Sequence, residues 1–144
     1  MPRYEDKALS FDVPRDWEDR SVTAFAAPTR SGAGPFANMA VTRDRLNPGE
    51  DIRCYADRQL VVLARRLDEF ELRSRTEVDL SGKPAVELRI GWRGPSGDVE
   101  QRLLFVANAE RTVFALSGTM DAIESARLSP IFERIFSSIK VHSS

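Results

Sequence analysis

Chemistry needs particular side chains at particular spacings, and this sequence holds few of them. Its only histidine, His142, stands in the C-terminal tail, a poor mount for a base that must be held to a fraction of an ångström. No Ser-His or Cys-His arrangement can be built on it. The only cysteine, Cys54, falls inside a helical segment but off its apolar stripe. Without a neighbouring histidine it reads as a small packing residue rather than a nucleophile. One cysteine and one histidine cannot complete a structural zinc site. Nor can they form an internal disulfide, which suits a reducing compartment. Ser31-Gly32-Ala33-Gly34 lacks the Lys-Ser/Thr pair and following helix of a phosphate loop. The carboxylates of Asp16, Glu18 and Asp19, and of Asp68, Glu69 and Glu71, lie in charged, turn-like stretches that read as solvated surface. The expectation is a protein with no catalytic residues, no metal and no cofactor.

Two amides stand out instead. On a helical wheel for Glu50 to Leu67, the residues Ile52, Tyr55, Ala56, Leu60, Val62, Leu63 and Leu67 share a little under half the circumference, and Gln59 falls inside that arc. An amide carries donors and an acceptor, and buried without partners it costs roughly 1–3 kcal/mol. Gln59 therefore bonds within its own core, sits at the stripe's edge with its amide in water, or lines an apolar groove whose occupant is another protein. The same motif recurs at Gln101, which shares one strand face with Val99, Leu103 and Phe105. A groove with apolar walls and a few amides suits an apolar helix as its occupant.

The elements that must position these residues are mostly strands. Ser21 to Ala27, Asn38 to Arg43, Leu72 to Leu80, Ala85 to Trp92, Val99 to Val106 and Val113 to Gly118 are short and rich in branched or aromatic residues. Ala8 to Val13 can add one more. In the fourth of them Val86, Leu88, Ile90 and Trp92 point one way, with Ala85, Glu87, Arg89 and Gly91 opposite. Pro28 to Pro35 reads as a loop and Arg93 to Gly97 as a hairpin turn. One helix is predicted from about Glu50 to Leu67, after a turn at Asn47, Pro48 and Gly49. A second lies between Asp121 and Ile139, with a capping box of Asp121 and Glu124. It is expected to break at Pro130, where Ser129 would cap a restart. Ile131, Phe132, Ile135, Phe136 and Ile139 then form one core-facing stripe. Strands, helix, four strands and helix in that order imply an α+β architecture: one antiparallel sheet with helices packed on it.

Composition narrows the function. A length of 144 residues fits one domain, 1–144, and 42% hydrophobic residues suffice for its core. Lys plus Arg number 21 against 22 Asp plus Glu. That balance argues against nucleic acid, whose phosphates call for a positive excess. The longest apolar runs, such as Leu103 to Ala107, are too short to span a membrane. Glu5 and Asp6 stand where a signal peptide needs a basic start and an apolar run. A cytoplasmic location is expected.

Four stretches carry a resemblance: Trp17-Glu18-Asp19-Arg20-Ser21, Val41-Thr42-Arg43-Asp44-Arg45, Tyr55-Ala56-Asp57-Arg58-Gln59-Leu60 and Pro84-Ala85-Val86-Glu87-Leu88. In order and spacing they resemble the DcrB-like family, and within it the Eag branch, the effector-associated chaperones of type VI secretion systems. The resemblance implies a PsbP-like fold, a homodimer and a chaperone role. Such proteins hold the apolar N-terminal transmembrane helices of PAAR- and Rhs-type effectors before loading on the VgrG spike. It implies groove residues at Val22 and Ala24, at Gln59, Leu63 and Leu67, and at Val99 with Gln101 and Leu103 beside it. Ala24 departs from the branched residue typical there, which makes a shallower groove. The alternative is a small-ligand-binding or envelope-associated DcrB-like domain without a chaperone role.

Overall fold

Alternating residue character decides the sheet before any helix is considered. The computed structural model describes residues 3–5, 10–17, 22–26 and 37–142. In it β3 (Val22–Ala26), β4 (Ala37–Arg45), β5 (Glu71–Leu80), β6 (Lys83–Gly94), β7 (Gly97–Ala107) and β8 (Thr112–Asp121) form one antiparallel sheet in the order β3-β4-β8-β7-β6-β5. The six strands read from the sequence are these six. β1 (Arg3–Glu5) and β2 (Ser10–Asp12) form a separate two-stranded ladder. β2 lies in the stretch named as a further candidate, and β1 was not foreseen. The loop expected at residues 28–35 lies outside the described residues, as do residues 18–21 of the first resemblance stretch.

Side chains at period two split between two cores. Val86, Leu88, Ile90, Leu103, Phe105 and Val113 face α1 (Ile52–Arg66), which buries Ile52, Tyr55 and Ala56 against them. Ala85, Leu104, Val106 and Leu116 face α2 (Ser125–Ser137), which buries Leu128, Phe132 and Phe136 on the opposite side. The sheet is therefore a middle layer with one helix on each face. Gly94 pairs with Gly97, leaving Pro95 and Ser96 to turn the expected hairpin.

α1 begins where its chemistry dictates. The Asp51 carboxylate accepts the Cys54 N–H at 2.9 Å as the N-cap, and Arg65 and Arg66 occupy the last turn, where cations favour the dipole. α2 corrects two expectations. It runs unbroken through Pro130, because Leu128, Phe132 and Phe136 lie four residues apart and span the proline. Burying those three side chains, each worth roughly 1.5–3 kcal/mol, outweighs the roughly 3 kcal/mol a mid-helix proline costs. Pro130 itself faces solvent. The capping box also fails. Asp121 closes β8, and the Glu124 carboxylate accepts from Arg127 Nε at 2.7 Å instead of capping the helix. Within the expected stripe Phe132 and Phe136 are buried, Ile135 and Ile139 half-buried, and Ile131 exposed.

The two edges of the sheet differ. β5 carries Glu71, Arg73, Arg75, Glu77 and Asp79, a charge at every second residue. β3 reads Val-Thr-Ala-Phe-Ala and carries none. Among the described residues each has one neighbouring strand.

Candidate functional site

α1 packs on β6 and β7 and stops there. The same face of the sheet continues across β8, β4 and β3. The register places Val22, Thr42, Ala115 and Phe105 in one row, and Ala24, Ala40, Ser117 and Leu103 in the next. The residues beyond α1 are thus small where those beneath it are large. The result is a trough of about 410 Å³. Tyr55, Gln59 and Leu63, one turn apart on α1, form one wall; Ala40, Thr42, Ala115 and Ser117 form the floor; Val22 stands on the far side. Two packed helices lie 8–10 Å apart, and strands about 4.8 Å. A helix laid beside α1 would lie about two strands away, above β8 and β4, where the floor is low.

One end of the trough is fixed by polar contacts. Tyr55 O–H donates to Asp44 Oδ2 at 2.8 Å, and its ring meets Phe105 edge-on with centroids 5.4 Å apart. Burial, then the bond to Asp44, pushes the phenol well above its ordinary value, so Tyr55 stays neutral at ordinary pH. The Arg58 guanidinium lies 4.9 Å from the Tyr55 ring centre and grips Glu50 with two nitrogens at 3.0 and 3.1 Å. That pairing holds the Glu50 carboxyl below the usual range.

The residues expected to line a groove divide. Val22, Gln59, Leu63 and Leu103 line the trough. Val22 is 62% exposed, so it is not a core residue. Ala24 is exposed on the same face, beside Ala40. Leu67 is instead the C-cap of α1 and packs at the edge of the α1-side core. Val99 lies two rows away, opposite Trp92 and Asp121. Gln101 is occupied: its Oε1 accepts from Trp92 Nε1 at 3.1 Å, and its Nε2 donates to Ser117 Oγ at 2.7 Å. Sequence reasoning missed Ala40, Thr42, Ala115 and Ser117. The available signal was small residues alternating along two strands.

Cys54 corrects another expectation. It is exposed in the first turn of α1, not packed. Its bond to the Asp51 carboxylate raises the thiol above its ordinary value, the opposite of what a nucleophile needs. His142 is exposed.

On the other face, Arg102 lies between Glu87, at 3.0 Å, and Glu133, at 2.8 Å, with its guanidinium 4.5 Å from the centre of the Phe136 ring. A second hollow of about 450 Å³ opens beyond α2, lined by Phe25, Met39, Leu128, Ile131 and Ile135 among others, with Asn38 and Arg127 as its polar members. Among the described residues, no helix is long and apolar enough to cross a membrane.

Comparisons with known proteins agree with this architecture. The sequence profile of the family described as DcrB matches residues 9–138. A protein of Pseudomonas aeruginosa named Effector EagT6 is 27% identical over 106 residues, which cover 74% of this chain and 73% of that one. Among solved structures, PA94, a Pseudomonas aeruginosa protein of unknown function, superposes with a TM-score of 0.81 at 22% identity, covering 100% of this chain and 99% of its own. The cyanobacterial PsbP of Synechocystis superposes with a TM-score of 0.59 at 13% identity, covering 98% and 92%. The α+β, PsbP-like fold expected from the sequence is the one observed.

Proposed function

The chain belongs to the DcrB family, matched over residues 9–138, and from that premise we propose that it is a cytoplasmic chaperone-adaptor of a type VI secretion system. In this reading it shields an apolar N-terminal helix of a PAAR- or Rhs-type effector until the effector is loaded on the VgrG spike. The likeness to Effector EagT6 supports the secretion context. The observation that carries the reading is the trough itself, with a floor of small residues beside an α1 wall of Tyr55, Gln59 and Leu63. A transmembrane segment exposed to water gains about 25 cal/mol for each Å² of apolar surface buried, and a helix in a groove achieves that without catalysis.

Length supports a homodimer. From Tyr55 to Leu63 the helix rises about 12 Å, whereas a membrane-crossing helix runs about 30 Å. One copy therefore lines less than half of its client, and a second copy joined through the uncharged β3 edge would extend the surface.

Co-expression with an adjacent effector tests the role. The full effector is expected to co-purify with the chaperone, and an effector lacking its apolar N-terminal segment to lose it. Undiminished capture of the truncated effector would exclude the trough as the client site. A second reading, a small-ligand-binding domain, draws on the 450 Å³ hollow beyond α2, which is of ligand-pocket size. Native mass spectrometry showing a retained small molecule, lost on Ile131→Asp, would favour it.

A further inference from the structure

The hollow beyond α2 differs in kind from the trough. Its lining is bulky, with Met39 of β4 and Leu128, Phe132 and Ile135 of α2, where the trough is floored by alanine, serine and threonine. A helix about 10 Å across cannot settle low on such residues, but a slender alkyl chain can lie between them. At about 450 Å³ the hollow falls in the lower half of the range for small-ligand sites, which suits one chain rather than two. A further hollow of about 370 Å³, lined by Val41 and Ile139 among others, follows along the same strand and helix, so the apolar surface is drawn out in one direction. Phe25 is 69% exposed and Ile131 40%, and both leave water when the hollow is filled. Among the described residues its one charged member is Arg127. Glu124 Oε2 takes the Arg127 Nε at 2.7 Å, and the two terminal nitrogens of the guanidinium meet no acceptor among the described residues. Arg127 also stands in the first turn of α2, where the helix dipole favours an anion.

We propose that this hollow binds a single-chain fatty acid, with the alkyl tail against Met39, Phe132 and Ile135 and the carboxylate on the free edge of Arg127. The inference is independent of the chaperone reading, which concerns the opposite face of the sheet. Burial of the alkyl carbons supplies most of the affinity, each buried methylene tightening binding about threefold to fourfold. The guanidinium, whose two terminal nitrogens match the two oxygens of a carboxylate, chooses the headgroup. Its preference is modest, because Glu124 offsets part of the charge and the Arg127 side chain is 42% exposed.

Isotope labelling of the methionine methyl groups of the full chain gives a localised test by NMR, because Met39 lines this hollow and Met120 faces a different one. Dodecanoate, titrated below its micelle concentration, is expected to shift the Met39 signal more than that of Met120 and to bind about tenfold more tightly than decanoate. Dodecanol should bind about fivefold more weakly than dodecanoate, and Arg127→Gln should remove that difference while keeping the Met39 shift. Ile131→Asp should weaken both ligands. A Lys-flanked Leu/Ala peptide of about 20 residues, standing in for a client helix, should leave dodecanoate in place. No Met39 shift with dodecanoate, a larger shift at Met120, or equal binding of dodecanol by the wild type overturns the proposal. Displacement of dodecanoate by the peptide, or by raising the protein concentration, overturns it in favour of a client or self-association surface.

Discussion

Ser117 and Gly118 are consecutive residues of β8 that face opposite sides of the sheet, and their surroundings could hardly differ more. On the Gly118 side α2 presses its aromatic residues against the backbone. A Cβ at Gly118 would lie 2.6 Å from the Phe132 ring and 3.1 Å from that of Phe136. On the Ser117 side there is a trough with no helix above it among the described residues. The strands beneath are shared, so residue alternation alone does not make one face a filled core and the other an opening. The difference lies in where each helix lands. α2 sits on β8, near the middle of the sheet, whereas α1 sits on β6 and β7 and leaves the neighbouring strands with alanine, serine and threonine. A face is filled or left open by the reach of its helix, and the strand residues are sized to match.

Four substitutions sharpen or break this contrast. Phe132→Ala, on the filled face, should cost roughly 3–5 kcal/mol of unfolding free energy in urea titration. Gly118→Ala should cost roughly 1–3 kcal/mol by overpacking. A loss as small as that of a surface change would show that the Phe132 contact yields easily. At the trough's end, Tyr55→Phe should cost roughly 0.5–1.5 kcal/mol by removing the bond to Asp44. The same variant has a pH signature. Because folding raises the Tyr55 pKa, its contribution is complete below the unfolded tyrosine value of about 10 and is lost as pH rises beyond it. Wild-type stability should fall more steeply than that of Tyr55→Phe above that pH. Val22→Asp is expected to change stability by no more than about 0.5 kcal/mol, since Val22 is 62% exposed, yet to abolish effector capture. Unfolding of this variant would place Val22 in the core and remove the contrast between the faces.

Much of this was legible in the sequence. Period-two alternation in Ala85 to Trp92 gave the strand and both its faces, because packing on the two sides demanded opposite characters at adjacent positions. α2 was misread because a local rule about proline was set against a tertiary stripe, and burial of Leu128, Phe132 and Phe136 won. The site was legible by half. Alternation put Leu103 and Gln101 on one face and the resemblance added Val22, but neither can show how far across that face a helix extends. Leu67 and Val99 therefore fell outside the trough, and Gln101 turned out to be engaged by Trp92, a partner nine residues away across a hairpin. Ser117 was overlooked because a serine among alternating small residues looks like filler until it is seen to line the trough.

The unequal borders of the sheet also limit how copies can assemble. A protein bare at both borders can add subunits head to tail without end and grow into a fibre. Here the charged β5 border opposes such addition, and only the β3 border is permissive. Growth by this route stops after one step, because joining two permissive borders uses up both. The stoichiometry of any assembly made this way is capped by the arrangement of charges along a ten-residue strand.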